Sequence, residues 1–321
     1  MARVKYLGVF MTKLVFFLAA FSVAGALRAA DQGTTAASFL QLDTSPRVIG
    51  MGDSFTGLAD DVSDIEYNPA GSAYLTQKEL MVMDAVWFQD INYSYGALAW
   101  PLSFGTISAD FFYLNAGSFE GYKFDASGNP ESTGTFTAAD MYGTLSYSRK
   151  ILSYLSAGLS VKFLNESIAT YSTGSVAVSL SGFYKAPVPG LSLGLSLNNL
   201  GPAEGFQQGY PLPLNVRFGV GYKPADNIAV DMDYVQYTDS AGIWSVGGEY
   251  GYRALTFRMG YKFQGGVDYN DTEDGYGPAA AAGLNLGMGV RFFKNYSVDY
   301  SYTPYGFLGT AQIISLSMKF D

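Results

Sequence analysis

From about Lys78 to Phe320 the chain repeats one pattern: short segments in which apolar and polar residues alternate. Leu155, Ala157, Leu159, Val161 and Phe163 alternate with Ser156, Gly158, Ser160 and Lys162. Leu191, Leu193, Leu195 and Leu197 alternate with Ser192, Gly194, Ser196 and Asn198, and Ile228–Tyr234 and Leu255–Phe263 repeat the rule. Period two with one wholly apolar face predicts strands standing between two different solvents. About fourteen antiparallel strands are expected, near 78–88, 91–101, 105–114, 137–150, 154–166, 172–185, 190–200, 213–224, 226–237, 242–252, 254–264, 282–293, 295–303 and 309–320. A soluble sandwich shows similar alternation. Here, however, the polar face carries Gly and charges, and the apolar face ends in Tyr or Phe, as in a barrel with lipid outside and a wet lumen inside.

The joints sort in the same direction. Short ones fall near Ser103, Ile151-Leu152-Ser153, Pro187-Val188-Pro189, Ala225, Arg253 and Lys294, and long ones cover 115–136, 201–212 and 265–281. Outer-membrane barrels pair short periplasmic turns with long external loops, and an even strand count returns both chain ends to the periplasm. The last strand, with Ile314, Leu316, Met318 and Phe320 on one face, resembles the closing strand of such barrels, except that Asp321 follows the aromatic residue.

One stretch does not fit the wall. Gly50-Met51-Gly52-Asp53-Ser54-Phe55-Thr56-Gly57-Leu58-Ala59-Asp60-Asp61, followed by Asn68-Pro69-Ala70-Gly71, is Gly-rich and of mixed character. Its glycines permit close packing in a narrow space, and Asn-Pro marks a turn. Residues 31–77 are therefore the expected plug, residues 78–321 the transmembrane barrel, and residues 1–30 a secretory signal. In that leader, Arg3, Lys5 and Lys13 precede the apolar run Leu14–Ala24 and the small-residue site Ala24-Gly25-Ala26.

Composition narrows the chemistry. Charged residues are 15% and aromatics 16%, with 25 Tyr, 23 Phe and 38 Gly, which suits a lipid-facing barrel with aromatic girdles. There is no Cys and no His. A Ser-His-Asp or Cys-His site is thereby excluded, and so is a thiolate metal site. No enzyme activity, cofactor or metal is expected. Without its basic leader the chain is strongly acidic, a poor match for nucleic acid. By parity Asp231 and Asp233 face the lumen together with Lys162, Arg217, Arg258 and Arg291, and a polar network among them is expected. The acidic run Asp268–Gly275 has a faint likeness to calcium loops but lacks their spacing.

The Gly50–Asp61 and Asn68–Gly71 series resembles the N-terminal signature of the FadL-like superfamily of outer-membrane proteins. The nearer branch it resembles is the PorV/PorQ family. The resemblance implies a fourteen-stranded barrel with an N-terminal hatch in the bacterial outer membrane, surrounded by its lipids. The hatch residues would be Gly50, Met51, Gly52, Phe55, Thr56, Asp60, Asp61, Asn68, Pro69, Ala70 and Gly71. In the fatty-acid branch it implies passage of hydrophobic small molecules with sideways release through the wall. In the PorV/PorQ branch it implies work with the proteins of a type IX secretion system. An apolar cavity beside the hatch is expected of a transporter. Gly117-Ser118 and Pro101–Gly105 are the candidate weak points for a lateral exit.

Overall fold

The computed structural model describes residues 33–87, 91–264, 283–305 and 309–321. The expected leader (1–30) and the acidic run 268–275 lie outside the described residues. The wall is built from β1 (Lys78–Val86), β2 (Asn92–Leu102), β3 (Gly105–Phe124), β4 (Pro130–Leu152) and β5 (Leu155–Ile168). It continues through β6 (Tyr171–Lys185), β7 (Leu191–Leu200), β8 (Asn215–Ala225), β9 (Ile228–Tyr237) and β10 (Ile243–Tyr252). It ends with β11 (Leu255–Gln264), β12 (Leu284–Phe292), β13 (Tyr296–Pro304) and β14 (Thr310–Phe320). Each strand pairs antiparallel with its sequence neighbours, and β1 pairs with β14 from Lys78↔Phe320 to Val86↔Gln312, so the sheet is a closed fourteen-stranded barrel.

Closure removes every edge, which is what a sheet requires in lipid, where unpaired peptide groups find no water. The alternation then sorts the faces. Leu80, Val82, Phe111, Leu145, Phe163, Met259, Ile314 and Leu316 are exposed on the outer surface, while Ser160, Lys162, Ser196, Asp231 and Asp233 are buried inside. An exposed apolar wall around a buried polar interior is the inverse of a soluble sandwich and fits lipid outside. At the end where β1 begins and β14 stops, Lys78 lies over the rings of Trp100 (4.6 Å) and Phe320 (5.7 Å).

One expected loop is instead a ribbon. Residues 115–136 were assigned to a long connection, but β3 and β4 run on as a paired hairpin to Phe124 and Pro130. The reason is local: alternation continues past the register shift at Asn115/Ser118, and Phe119 stacks on Phe136 with centroids 5.6 Å apart. Gly117 therefore sits in this extension rather than in the wall. Pro101 pairs with Thr106 in the β2–β3 turn, so neither expected weak point opens the barrel.

The lumen is filled by the chain before β1. It forms a 3-10 turn at Ser38–Gln41, a short helix at Pro46–Gly50, another at Asp64–Tyr67 and a 3-10 helix at Pro69–Tyr74. Phe39, Leu40, Ile49, Val62 and Ile65 pack on Met81, Tyr93, Phe112, Leu114 and Tyr142 of β1–β4. Val48, Met51, Phe55, Leu58 and Tyr67 form a second apolar cluster with Ala229 of β9.

Candidate functional site

The luminal segment is seated on two chemically different surfaces. On the β5–β12 side the seat is polar and made for backbone. Asp233 Oδ2 accepts hydrogen bonds from the Phe55 N–H (3.0 Å), the Thr56 N–H (3.0 Å) and the Thr56 hydroxyl (2.6 Å), and Asp231 Oδ2 accepts from the Leu58 N–H (2.8 Å). Wall hydroxyls supply the complementary donors: Ser192 to the Gly57 carbonyl (2.6 Å), Ser196 to that of Tyr67 (2.8 Å) and Ser156 to that of Ala70 (2.7 Å). These serines and aspartates all lie on the inward parity of their strands, which is why alternate polar positions recur there.

Wall glycines complete the seat. A Cβ on Gly247 would strike the Met51 carbonyl, one on Gly260 the Gly52 amide, and one on Gly194 the Thr56 carbonyl. Gly50 itself packs on Gly287, and Gly71 on Ala59. Gly52 also holds φ at 69°, a conformation that only glycine adopts freely. Asn68 locks two layers at once: its side-chain N–H donates to the Thr56 carbonyl (2.9 Å) and to the Gly182 carbonyl of β6 (3.3 Å). Pro69 then begins the last turn, where the Ala70 N–H donates to Ser181 Oγ (3.0 Å).

Ion pairs tie the same segment to the barrel. Arg47 is the hub: Nη1 meets Asp60 at 2.8 Å and Asp61 at 2.6 Å, and its other nitrogens clasp both oxygens of Glu249 at 3.0 Å. Burial opposes the Arg47 charge, but Glu249 and Asp61 overcome it and hold the guanidinium firmly protonated. Lys223 of β8 also pairs with Asp60. Arg217 pairs with Asp53 (3.1 Å), and Lys162 pairs with Glu66 (2.5 Å) while lying 4.2 Å from the Tyr142 ring centroid. Burial works against ionised Asp53, yet Arg217 and Lys262 hold its carboxyl below the usual range. Asp43, 2.8 Å from Lys262, goes the other way: burial and the charge of Asp53 push it up to about 7.

The network expected among the luminal charges is therefore divided differently. Asp231 and Asp233 hold plug backbone rather than wall cations. Lys162 and Arg217 reach into the plug, and Arg258 bridges Glu249 (2.6 Å) and Asp299 (2.7 Å) across β10–β13. Arg291 is outside the network. It sits exposed at the short-turn end of β12, lining a charged vestibule of about 220 Å³ between the segment and β12–β14. Parity fixed its face, but its place at the strand end put it beyond the reach of Asp231 and Asp233. Arg47, the most connected of these charges, was not singled out from the sequence. The available signal was an arginine three residues before the Gly-Met-Gly series, with an Asp pair thirteen and fourteen residues on.

The apolar cavity expected beside the segment is not open. The internal cavity there has about 30 Å³, room for about one water molecule, and its lining includes Glu66, Lys162, Asn198, Asn215 and Arg217. The aromatic surface that would line a larger pocket is covered: Phe39 stacks at 6.1 Å on Phe112 and at 6.2 Å on Tyr142, whose rings lie 4.9 Å apart. The segment thus has a polar seat on one side and an aromatic seat on the other.

A closed fourteen-stranded antiparallel barrel defines the fold class, and the comparisons fall in it. The chain is similar to the Pseudomonas putida toluene transporter TodX, at 13% identity over 87% of this chain and 98% of that one, with a TM-score of 0.59. A second structure of that transporter gives 12% identity, 87% and 99% coverage and a TM-score of 0.61. A FadL homologue from Pseudomonas aeruginosa gives 12% identity, 87% and 98% coverage and a TM-score of 0.57. At these identities the likeness is one of fold. A family model described as an uncharacterised protein family (UPF0164) matches residues 17–163. No curated protein matches.

Proposed function

We propose that the protein is an outer-membrane channel for hydrophobic small molecules, closed in this state by residues 33–77. The observation that carries the reading is the aromatic slot of Phe112, Tyr142 and Tyr93, buried inside a lipid-facing barrel and filled by Phe39 of the segment itself. A slot built to hold an aromatic ring, once vacated, accepts an apolar guest at about 25 cal/mol per Å² buried. The fold shared with a toluene transporter and a FadL homologue supports the same reading. The leader directs export, the short turns face the periplasm, and residues 33–77 act as the hatch. Long-chain fatty-acid-like molecules are one class of cargo within it.

For sideways release the β6–β7 ladder is the favoured place. Pairing skips from Val178↔Leu200 to Leu180↔Leu197, leaving Asn198 and Asn199 opposite Ser179, and all three line the internal cavity. Asn199 is also held at a positive φ of 64°. Such an interruption is where a wall parts at least cost.

The test is uptake of a fluorescent neutral aromatic probe by cells carrying equal amounts of folded wild-type, Phe39→Ala or no barrel. Faster uptake with Phe39→Ala than with wild type supports the reading. Three identical rates overturn it. A second reading, a PorV/PorQ-like secretion component, draws on the β3–β4 ribbon, which carries Tyr122 and Phe124 exposed beyond the wall. Cross-linking from Phe124 in the native envelope to a secretion protein would favour that reading.

A further inference from the structure

The end of the barrel with the long connections carries an acidic group with no counter-charge. Asp140 of β4 and Glu166 of β5 are direct cross-strand partners on the inward face. Glu204, in the β7–β8 connection, joins them. It is 3% exposed, and neither of its carboxylate oxygens has a hydrogen-bond partner. Its backbone is pinned instead, by the paired bonds Glu204 N–H to Tyr210 C=O (2.9 Å) and Tyr210 N–H to Glu204 C=O (2.7 Å). Burial, then the charges of Glu166 and Asp140, push the Glu204 carboxyl up to about 7.

Among the described residues no basic side chain answers these acids. Lys123, the basic residue of the β3–β4 ribbon, is tied to Glu131 at 3.3 Å. The luminal cations are paired within the plug seat, and the remaining ones cluster at the short-turn end. The internal stretches outside the described residues contain neither Lys nor Arg in their sequence. A buried carboxylate without hydrogen bonds or a counter-ion is costly, so such a group marks a place for a partner from outside.

Beside this group lies an open cleft of about 570 Å³ between residues 35–38, the β5–β6 tip and the β7–β8 connection. Glu166 lines it together with Tyr171, Phe206 and Tyr210, all three exposed aromatic side chains. Its size is that of a small-molecule site. Aromatic faces beside carboxylates favour a cation that also has an apolar body. The floor includes Ala37 and Ser38, next to Phe39, so the cleft adjoins the element that fills the aromatic slot.

We infer that this mouth cleft is a binding site for a small organic cation, an ammonium group with an aromatic or short apolar body, paired with Glu166 in the cleft wall, favoured by the further negative charge of Asp140 and of the buried Glu204 behind it, and walled by Tyr171, Phe206 and Tyr210. Under the channel reading the inference names the favoured charge class of the cargo and disfavours carboxylates. The binding itself does not depend on that reading.

The experiment is calorimetric titration of the full-length barrel in a neutral maltoside detergent with benzyltrimethylammonium, its uncharged carbon isostere and benzoate. The cation is expected to bind more tightly than the isostere by about tenfold or more, the worth of one good ionic contact, and benzoate not at all. Glu204→Gln and Glu166→Gln, which keep the side-chain shape, are each expected to lose most of that preference, and Lys123→Ala to keep it. Equal binding of cation and isostere overturns the inference, as does an unchanged preference in both Gln variants. So does stoichiometric uptake of calcium alone with no organic cation bound. Uptake by cells is scored separately: cation binding without transport removes the channel reading and leaves the site standing.

Discussion

Asp233→Ala tests the seat most directly. One carboxylate oxygen accepts three hydrogen bonds from Phe55 and Thr56, and the residue is completely buried. Hydrogen bonds to a charged acceptor are worth about 1.5–3 kcal/mol each, and two of these donors are backbone amides with no other partner in the seat. Water entering the space left by alanine recovers part of the loss. We expect a net weakening of the seat by about 3 kcal/mol, which raises the unseated population by about 100-fold. Asp233→Asn keeps an acceptor and should lose about 1 kcal/mol. The assay is amide hydrogen exchange of residues 53–60 in the reconstituted barrel, read against the amides of β2–β4, with resistance of the folded band to detergent on an unheated gel as the control for an intact wall. Protection of Phe55 and Thr56 should fall in the order wild type, Asn, Ala while β2–β4 hold. If the Ala variant keeps wild-type protection at both amides, Asp233 does not hold the segment and the account of the seat fails.

Gly247→Ala and Gly260→Ala should each unseat the segment by about 1–3 kcal/mol, because the added Cβ meets the Met51 and Gly52 backbone, which has no flexible end to yield. Gly248→Ala is the matched control: its Cβ would meet only the Ala229 carbonyl, at 3.8 Å. Single-channel conductance should rise in the first two and not in the third. Asp43 gives a pH signature. Its seated carboxyl is raised to about 7 by burial and Asp53, so it binds a proton more tightly seated than free. Its contribution to seating is complete below its ordinary value of 3.8 and is lost as pH rises through about 7. Exchange protection of residues 38–45, corrected for intrinsic rate, should therefore decline from pH 5 to 8, and Asp43→Asn should flatten that decline. Because the chain has no Cys, a Leu180→Cys/Leu197→Cys pair, facing each other across β6–β7, forms the only disulfide on oxidation. It should slow uptake reversibly if cargo leaves at that seam.

Strand number, facing and closure were legible because each rests on a period of two that every strand repeats. That residues 50–71 do not belong to the wall was legible because their Gly-rich, mixed stretch breaks that period. Parity says which face a side chain takes, however, and nothing about its partner. Asp231 and Asp233 share one parity, yet their partners lie at Leu58, Phe55 and Thr56, more than 170 residues away. The glycines on the inward face were visible as a recurring oddity of the polar side. Their purpose, clearance for the Met51–Gly57 backbone, appears only when wall and segment are brought together. The ribbon at 118–124 was not legible because Gly117-Ser118 reads as a break, while cross-strand pairing with 130–137 overrides it.

The two sides of the seat differ in what it costs to open them. On the β5–β12 side the contacts to the wall are mainly hydrogen bonds and ion pairs, with an apolar contact at Ala229, and water can take up the freed polar partners once the segment lifts. On the β1–β4 side, lifting Phe39, Leu40 and Ile65 bares Phe112, Tyr142, Tyr93 and Leu114 to water, and nothing polar offsets that exposure. An apolar guest does offset it, because it takes the place of the Phe39 ring between the same aromatic faces. A polar solute offers no such replacement. Under the proposed channel reading the closed state is coupled to the chemistry of the cargo: water can take up the polar partners on one side, while a hydrophobic molecule is what covers the aromatic side. On that reading, selectivity for hydrophobic cargo resides in the aromatic surface that opening must leave covered, and requires no wide or permanently open pore.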